Sequence, residues 1–229
     1  MKKRIIIFIS LIVVVAVMGL VLVFMKTDEP IVTFTEDEIK FKEEYETLNG
    51  TNYKESILLK TINIDSDNNV KYVSDNEILD LLKNGTNVVY FGWAECNWCR
   101  TIIPVLIETL KENEIETLYY YDFKSLRLAY EENSDSKKVE LYESILEIIG
   151  EDIESVFDEE SERSGEKKIL APTVVFVKNG KYIGSHIKSV DSQLKSSDEL
   201  TESQIIELKG YYNKYINQIN MDVCYEEGC

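Results

Sequence analysis

Apolar residues open the chain as one unbroken block and then return in short periodic groups. Ile5 to Met25 is a run of 21 residues in which only Ser10 and Gly19 are not apolar. At ~1.5 Å rise per residue such a helix spans about 31 Å, the thickness of a hydrocarbon core. Thr27 to Pro30 reads as a short linker. Ile39, Phe41, Tyr45 and Leu48, set among Glu and Lys, then predict an amphipathic helix from about Glu36 that ends at Asn49-Gly50. Ser56 to Ile64 and Val70 to Val73 are β-branched, with turn residues from Asp65 to Asn69 between them, which predicts a hairpin or two edge strands. Ser74 with Glu77 makes a capping box for a helix that buries Ile78, Leu81 and Leu82 and stops at Gly85. Asn87 to Gly92 is the material of a buried central strand.

Helices and strands keep alternating after it. Ile103, Leu106, Ile107 and Leu110 recur at helical spacing, and Thr117 to Phe123 reads as a strand whose three tyrosines pack within the sheet. Helical patterns follow at Leu126 to Tyr130 and at Ser136 to Gly150, the second burying Val139, Tyr142, Ile145, Leu146 and Ile149. Glu151 to Lys168 is dense in charge and predicts a mobile loop, with one turn around Ile153 to Phe157. Asn179-Gly180 joins Val174–Val177 to Tyr182–Gly184 as a hairpin. A last helix, about Thr201 to Ile219, buries Ile205, Leu208, Tyr212 and Ile216. The order is that of an α/β domain.

Charge adds an orientation. The first 26 residues hold Lys2, Lys3, Arg4 and Lys26 and no acid, leaving 21 basic residues (25 less those four) against 42 acidic ones, a formal −21 for the body. The apolar run is long for a cleavable signal peptide, and Val23-Phe24-Met25-Lys26 is bulky where a cleavage site needs small residues. A retained signal-anchor is therefore expected over a cleaved signal. The positive-inside rule keeps its N-terminus in the cytoplasm and puts the body outside. So acidic a body repels phosphate backbones, and no nucleic-acid partner is expected.

The chemistry lies in the cysteines. Cys96 and Cys99 are separated by two residues where the central strand meets a helix. A sulfur there meets free backbone N–H groups and the positive helix end, which stabilise a thiolate for thiol–disulfide exchange. Zinc would need four ligands, yet His186, read as a surface or strand residue, is the single histidine, so no metal is expected. Cys224 and Cys229 form a second close pair. They suit a local structural disulfide, a second redox pair exchanging with the first, or free or intermolecular thiols.

Four motifs, in order, resemble the thioredoxin family over about residues 70–219. Trp93-Ala94-Glu95-Cys96-Asn97-Trp98-Cys99 is similar to the family's Trp-Ala-x-x-Cys-x-x-Cys, with one residue fewer before the first cysteine. Pro104 falls where the family's active-site helix carries a proline, Ala171-Pro172-Thr173 is similar to its cis-proline loop, and Val174 to Gly180 to its strand ending in Lys-Asn-Gly. The resemblance implies a thioredoxin-like fold, a central mixed sheet flanked by helices. It would carry a helical insertion at about 124–168, follow a transmembrane helix (1–26) and an extension (27–69), and end in a cysteine-containing tail (220–229). It implies Cys96 as attacking thiolate and Cys99 as resolving thiol, without a bound cofactor. Ala171 and Pro172 would pair with a substrate strand, with Trp93 (rim or core) and Trp98 beside it.

Departures are equally specific. The position where many thioredoxins keep a buried acid falls at Tyr90, and Asn97-Trp98 is neither Gly-Pro nor Pro-His. Arg100 is expected to help Cys96 ionise and Glu95 to oppose it. The layout also resembles, more loosely, membrane-anchored thioredoxin-like proteins of Gram-positive type such as bacteriocin-transport accessory proteins. The expected function is a single-pass, extracytoplasmic thiol–disulfide oxidoreductase acting on cysteine-containing exported proteins or a redox partner protein. The alternative is an accessory binding module of a peptide-export system with a mainly structural cysteine pair.

Overall fold

A computed structural model describes residues 33–54, 56–153, 155 and 165–221. The segment 1–26, the linker after it, most of the turn expected around Ile153 to Phe157, and Cys224 and Cys229 lie outside the described residues. Among the described residues no helix is long and apolar enough to cross a membrane.

The elements run α1 (Glu36–Glu46), β1 (Asn52–Tyr53), β2 (Ile57–Leu58), β3 (Val70–Tyr72), α2 (Ile78–Lys83), β4 (Asn87–Gly92), α3 (Asn97–Glu112), β5 (Leu118–Asp122), α4 (Lys124–Glu132), α5 (Ser136–Ile149), β6 (Thr173–Lys178), β7 (Lys181–Ile187) and α6 (Glu202–Asn220). Five strands form one sheet in the order β3-β5-β4-β6-β7. The first three are parallel, and β6 and β7 are antiparallel to their neighbours. This mixed sheet flanked by helices is consistent with a thioredoxin-like fold.

Strand alternation divides the core in two. Val88 and Tyr90 face α1, α3 and α6, where Phe41, Tyr45, Ile103, Leu106, Leu208 and Tyr212 pack. Val89 and Phe91 face α2, α4 and α5, which supply Ile78, Leu82, Leu126, Tyr130, Tyr142 and Ile145. The three tyrosines of β5 follow the same rule. Tyr120 stacks on Tyr90 (5.4 Å between ring centroids), whereas Tyr121 meets Phe91 edge-on on the other face.

Of the two arrangements expected for 56–64 and 70–73, the hairpin between them does not form. β2 pairs with β1 as a separate two-stranded ribbon, and β3 is a parallel edge strand beside β5. Residues 60–64 lie against α1 and the start of α3, and side chains take over their ladder. Lys60 N–H is accepted by Asn97, Ile62 N–H by Asn49 and Ile64 N–H by Glu46, at 2.7–3.0 Å. A backbone satisfied this way has no demand left for a partner strand. Leu59, Ile62 and Ile64 are buried, so much of the extension belongs to the core. Ile39, expected on the inner face of α1, is 47% exposed, because Phe41 and Tyr45 alone point inward with Glu38.

Two turns match their residues. Asn179 and Gly180 both have positive φ (50° and 72°), as a tight hairpin requires. Ser74 and Glu77 pair as expected, the Glu77 carboxylate taking the Ser74 N–H at 3.0 Å. α2 nevertheless begins only at Ile78.

Candidate functional site

Sheet topology assembles the site from distant stretches. Phe91 of β4 pairs with Thr173 of β6, and the two strands run antiparallel. The chain leaving β4 therefore meets the chain entering β6. Cys96 follows the one, Pro172 precedes the other, and Cys96 Sγ lies 3.5 Å from the Ala171 carbonyl oxygen, to which its thiol can donate. The Ala171–Pro172 peptide is cis. Its loop is pinned on both sides: Lys188 N–H donates to the Pro172 carbonyl (2.9 Å) and Thr173 Oγ1 donates to that of Leu170 (2.6 Å).

Cys96 is the N-cap of α3, and its sulfur accepts the Cys99 backbone N–H at 3.4 Å. Cys96 is half-buried, whereas Cys99, one turn on, is fully buried. Their acidities separate. A hydrogen bond from the Cys99 side chain, the backbone N–H groups of Cys99 and Trp98 and the charge of Arg127 together hold Cys96 below the usual thiol range, against the effect of burial. Burial above all, and then the bond given to Cys96, push Cys99 well up, while the Tyr90 hydroxyl opposes that rise. The outer thiol is thus the more acidic of the two and the inner one the less acidic.

The residues flanking the cysteines behave differently from expectation. Arg100 does not serve Cys96. Its side chain is fully buried and turns back under the loop, donating to the carbonyls of Lys60 (2.6 Å), Tyr45 (2.9 Å) and Ala94 (3.1 Å) and to Asn49 Oδ1 (2.5 Å). The cation acting on Cys96 is Arg127 of α4. Glu95 opposes little, because Lys124 of the same helix pairs with it at 2.8 Å. Trp93 is half-buried against Phe123 (5.3 Å between centroids), with the Arg127 guanidinium 5.8 Å from its ring, so it belongs to core and rim together. Trp98 is half-buried and Pro172 buried.

Cys96 opens on a groove of about 530 Å³, lined by Tyr53, Ile57, Trp93, Arg127 and Leu128 among others. One wall is the β1–β2 ribbon and the other is α4. Sequence reasoning did not find Arg127, Lys124, Tyr53 or the clamping role of Asn97, which holds Lys60 N–H and the Leu58 carbonyl, both at 2.9 Å. A signal for the α4 pair existed. β5 lies parallel to β4, so the helix that follows β5 must start at the same sheet end as the cysteines. Among the described residues no cluster of His, Cys, Asp and Glu is arranged to hold a metal ion.

No protein-family model and no curated protein matches the sequence. Among solved structures the chain is similar to oxidized thioredoxin O1 from Arabidopsis thaliana, at 23% identity over 56% of this chain and 92% of that one, with a TM-score of 0.33. It is similar to oxidized thioredoxin O2 from the same plant at 18% identity over 65% and 96%, with a TM-score of 0.35. Mitochondrial thioredoxin 3 from Saccharomyces cerevisiae matches at 18% identity over 52% and 83%, with a TM-score of 0.31.

Proposed function

We propose that this chain is a thiol–disulfide oxidoreductase that works through Cys96 and Cys99 on cysteine-containing proteins. The observation that carries the proposal is the pairing of a half-exposed, acidified Cys96 at a helix start with a buried, less acidic Cys99 one turn on. In thiol–disulfide exchange the outer thiolate attacks a substrate disulfide, and the inner thiol then resolves the mixed disulfide. The Ala171 carbonyl beside Cys96 offers main-chain pairing to an extended substrate. The groove between the ribbon and α4 takes side chains next to the substrate cysteine. No bound cofactor is needed, since the cysteine pair itself holds the two electrons as a dithiol and gives them up on forming its disulfide.

The residues before the domain support a location. A 21-residue apolar run behind Lys2-Lys3-Arg4 and ahead of an acidic body is the pattern of a signal-anchor. The domain then works outside the cytoplasmic membrane, on exported proteins or on a redox partner protein there. The test is insulin reduction, and refolding of a scrambled disulfide substrate, by the full chain in detergent. Wild type is expected to turn over and Cys96→Ser to be inactive. Equal inactivity of both, with Cys96 unreactive to a thiol probe at pH 6, would overturn the enzyme and leave an accessory binding module with a structural cysteine pair.

A further inference from the structure

The β1–β2 ribbon holds apolar side chains out to solvent. Both residues of β2 are exposed, Ile57 at 45% and Leu58 at 62%, and across the groove from Ile57 the side chain of Leu128 on α4 is 47% exposed. The ribbon is a sheet of its own, with two residue pairs, Asn52 with Leu58 and Tyr53 with Ile57. A ribbon so short is marginal by itself. Two further backbone bonds, Leu59 N–H to the Thr51 carbonyl (2.8 Å) and Gly50 N–H to that of Leu59 (3.2 Å), stay within the segment. The first turn of α3 ties it to the domain. Asn97 Oδ1 accepts the Lys60 N–H, the Asn97 amide donates to the Leu58 carbonyl (both 2.9 Å), and Arg100 Nε donates to the Lys60 carbonyl (2.6 Å). That turn carries Cys96 as its N-cap and Cys99 within it. One wall of the groove is therefore fastened to the cysteine turn itself. The ribbon precedes residues 70–219, so the thioredoxin resemblance does not account for it.

Resting on the exchange function proposed above, we propose that Asn97 is a positioning residue that fixes the ribbon as one wall of a subsite for a large apolar side chain of a polypeptide substrate. Cys96 opens directly on the groove, and its sulfur lies 3.5 Å from the Ala171 carbonyl, where an extended substrate can pair. In an extended strand the residues two before and two after the attacked cysteine share its face. Their side chains then fall between Ile57 and Tyr53 on the ribbon and Leu128 and Trp93 opposite, in a space of about 530 Å³. A leucine or an aromatic ring placed there leaves water together with the exposed walls, which is the driving force for binding. Charge is not what this lining selects. Lys124 is paired with Glu95 (2.8 Å) and Arg127 with Glu131 (2.9 Å), and Lys54 is exposed to solvent. A small disulfide without such a side chain gains nothing from the walls. Asn97 touches no reacting atom in this role. It acts through the ribbon, by keeping Ile57 at a fixed distance from the thiol.

The probes are two symmetrical peptide disulfides, identical except for Leu or Ser at the positions two before and two after the cysteine. Each is mixed with the reduced full chain in detergent, with Cys224 and Cys229 changed to Ser, and the second-order rate constants are measured. The quantity read is the Leu-over-Ser preference. Both rates come from one sample, so the folded fraction and the acidity of Cys96 cancel. The wild type is expected to prefer the Leu peptide about tenfold. Ile57→Ser and Asn97→Ala are each expected to reduce the preference to about twofold, and the double variant to go no further, because the two changes remove one wall. Asn97→Asp, which keeps an oxygen to accept the Lys60 N–H, is expected to retain part of the preference. A wild type without preference would overturn the subsite. A preference that survives Asn97→Ala, or losses that multiply in the double variant, would overturn the positioning role. A wild type that reacts with neither peptide nor with Ellman's reagent would instead bring down the exchange function, and the subsite with it.

Discussion

The side-chain oxygen of Asn97 accepts the backbone N–H of Lys60 at 2.9 Å, and the same amide donates to the Leu58 carbonyl at 2.9 Å. A residue between the two cysteines thus holds the segment leaving the β1–β2 ribbon as a neighbouring strand would. Asn97→Ala should destabilise the domain by about 1–2 kcal/mol in urea unfolding, the cost of two backbone groups left without a partner. Hydrogen exchange at the Lys60 amide should speed up in the same variant. Unchanged exchange there would show that the clamp does not hold the ribbon.

Arg100 should be the most costly single side chain to lose near the site. Its guanidinium joins α1, the Lys60 segment and the cysteine loop through four acceptors. Arg100→Leu leaves them stranded in the core and is expected to cost about 3–5 kcal/mol. Arg100→Lys keeps the charge but not the planar fork, and should recover only part of that. Chemical denaturation of the two variants measures the difference.

Arg127 should set the reactivity of Cys96 from a distance in sequence. It is the cation whose charge lowers the Cys96 thiol, after the hydrogen bonds to that sulfur. Arg127→Gln should raise the pH midpoint of Cys96 alkylation by up to about one unit, slowing the reaction below that midpoint, and Arg127→Lys should restore most of it. Arg127 is also paired with Glu131 at 2.9 Å. Glu131→Gln should therefore shift the midpoint the opposite way.

His186 should make the fold acid-sensitive. Its ring stacks on Tyr211 (4.7 Å), meets Tyr212 edge-on and has Nε2 3.1 Å from the Ser189 carbonyl. Burial lowers its pKa from 6.5 to about 4. The unfolded chain then binds the proton more readily, so stability from the neutral ring is complete above pH 6.5. It is lost as pH falls toward 4, roughly 3 kcal/mol at most. His186→Phe, which keeps the stacking, should flatten the dependence of unfolding free energy on pH across that window.

Read along the chain, periodicity and punctuation located the elements that finish their own business locally. β4, α3, β5, α5, the Asn179-Gly180 hairpin and α6 were legible because their buried faces recur at a fixed step and their ends carry turn or cap residues. The segment 59–64 was not. Its β-branched residues look like a strand, but Asn97, Asn49 and Glu46 satisfy its backbone from elements that only folding brings near. The site divides in the same way. Cys96 and Cys99 could be named from residue types and order, because a thiol pair at a strand-to-helix junction lies in one local window, whereas the Ala171-Pro172 loop was named only through the thioredoxin resemblance. Which cation faces Cys96, where Arg100 points and what stands behind Cys99 depended on contacts between residues tens of positions apart. Tyr90 shows the boundary best. In sequence it marked the place where a buried acid was missing. Only the packing of α1 across the sheet, with Tyr45 against Tyr90 and Gly92 making room, put a pair of hydroxyls there instead.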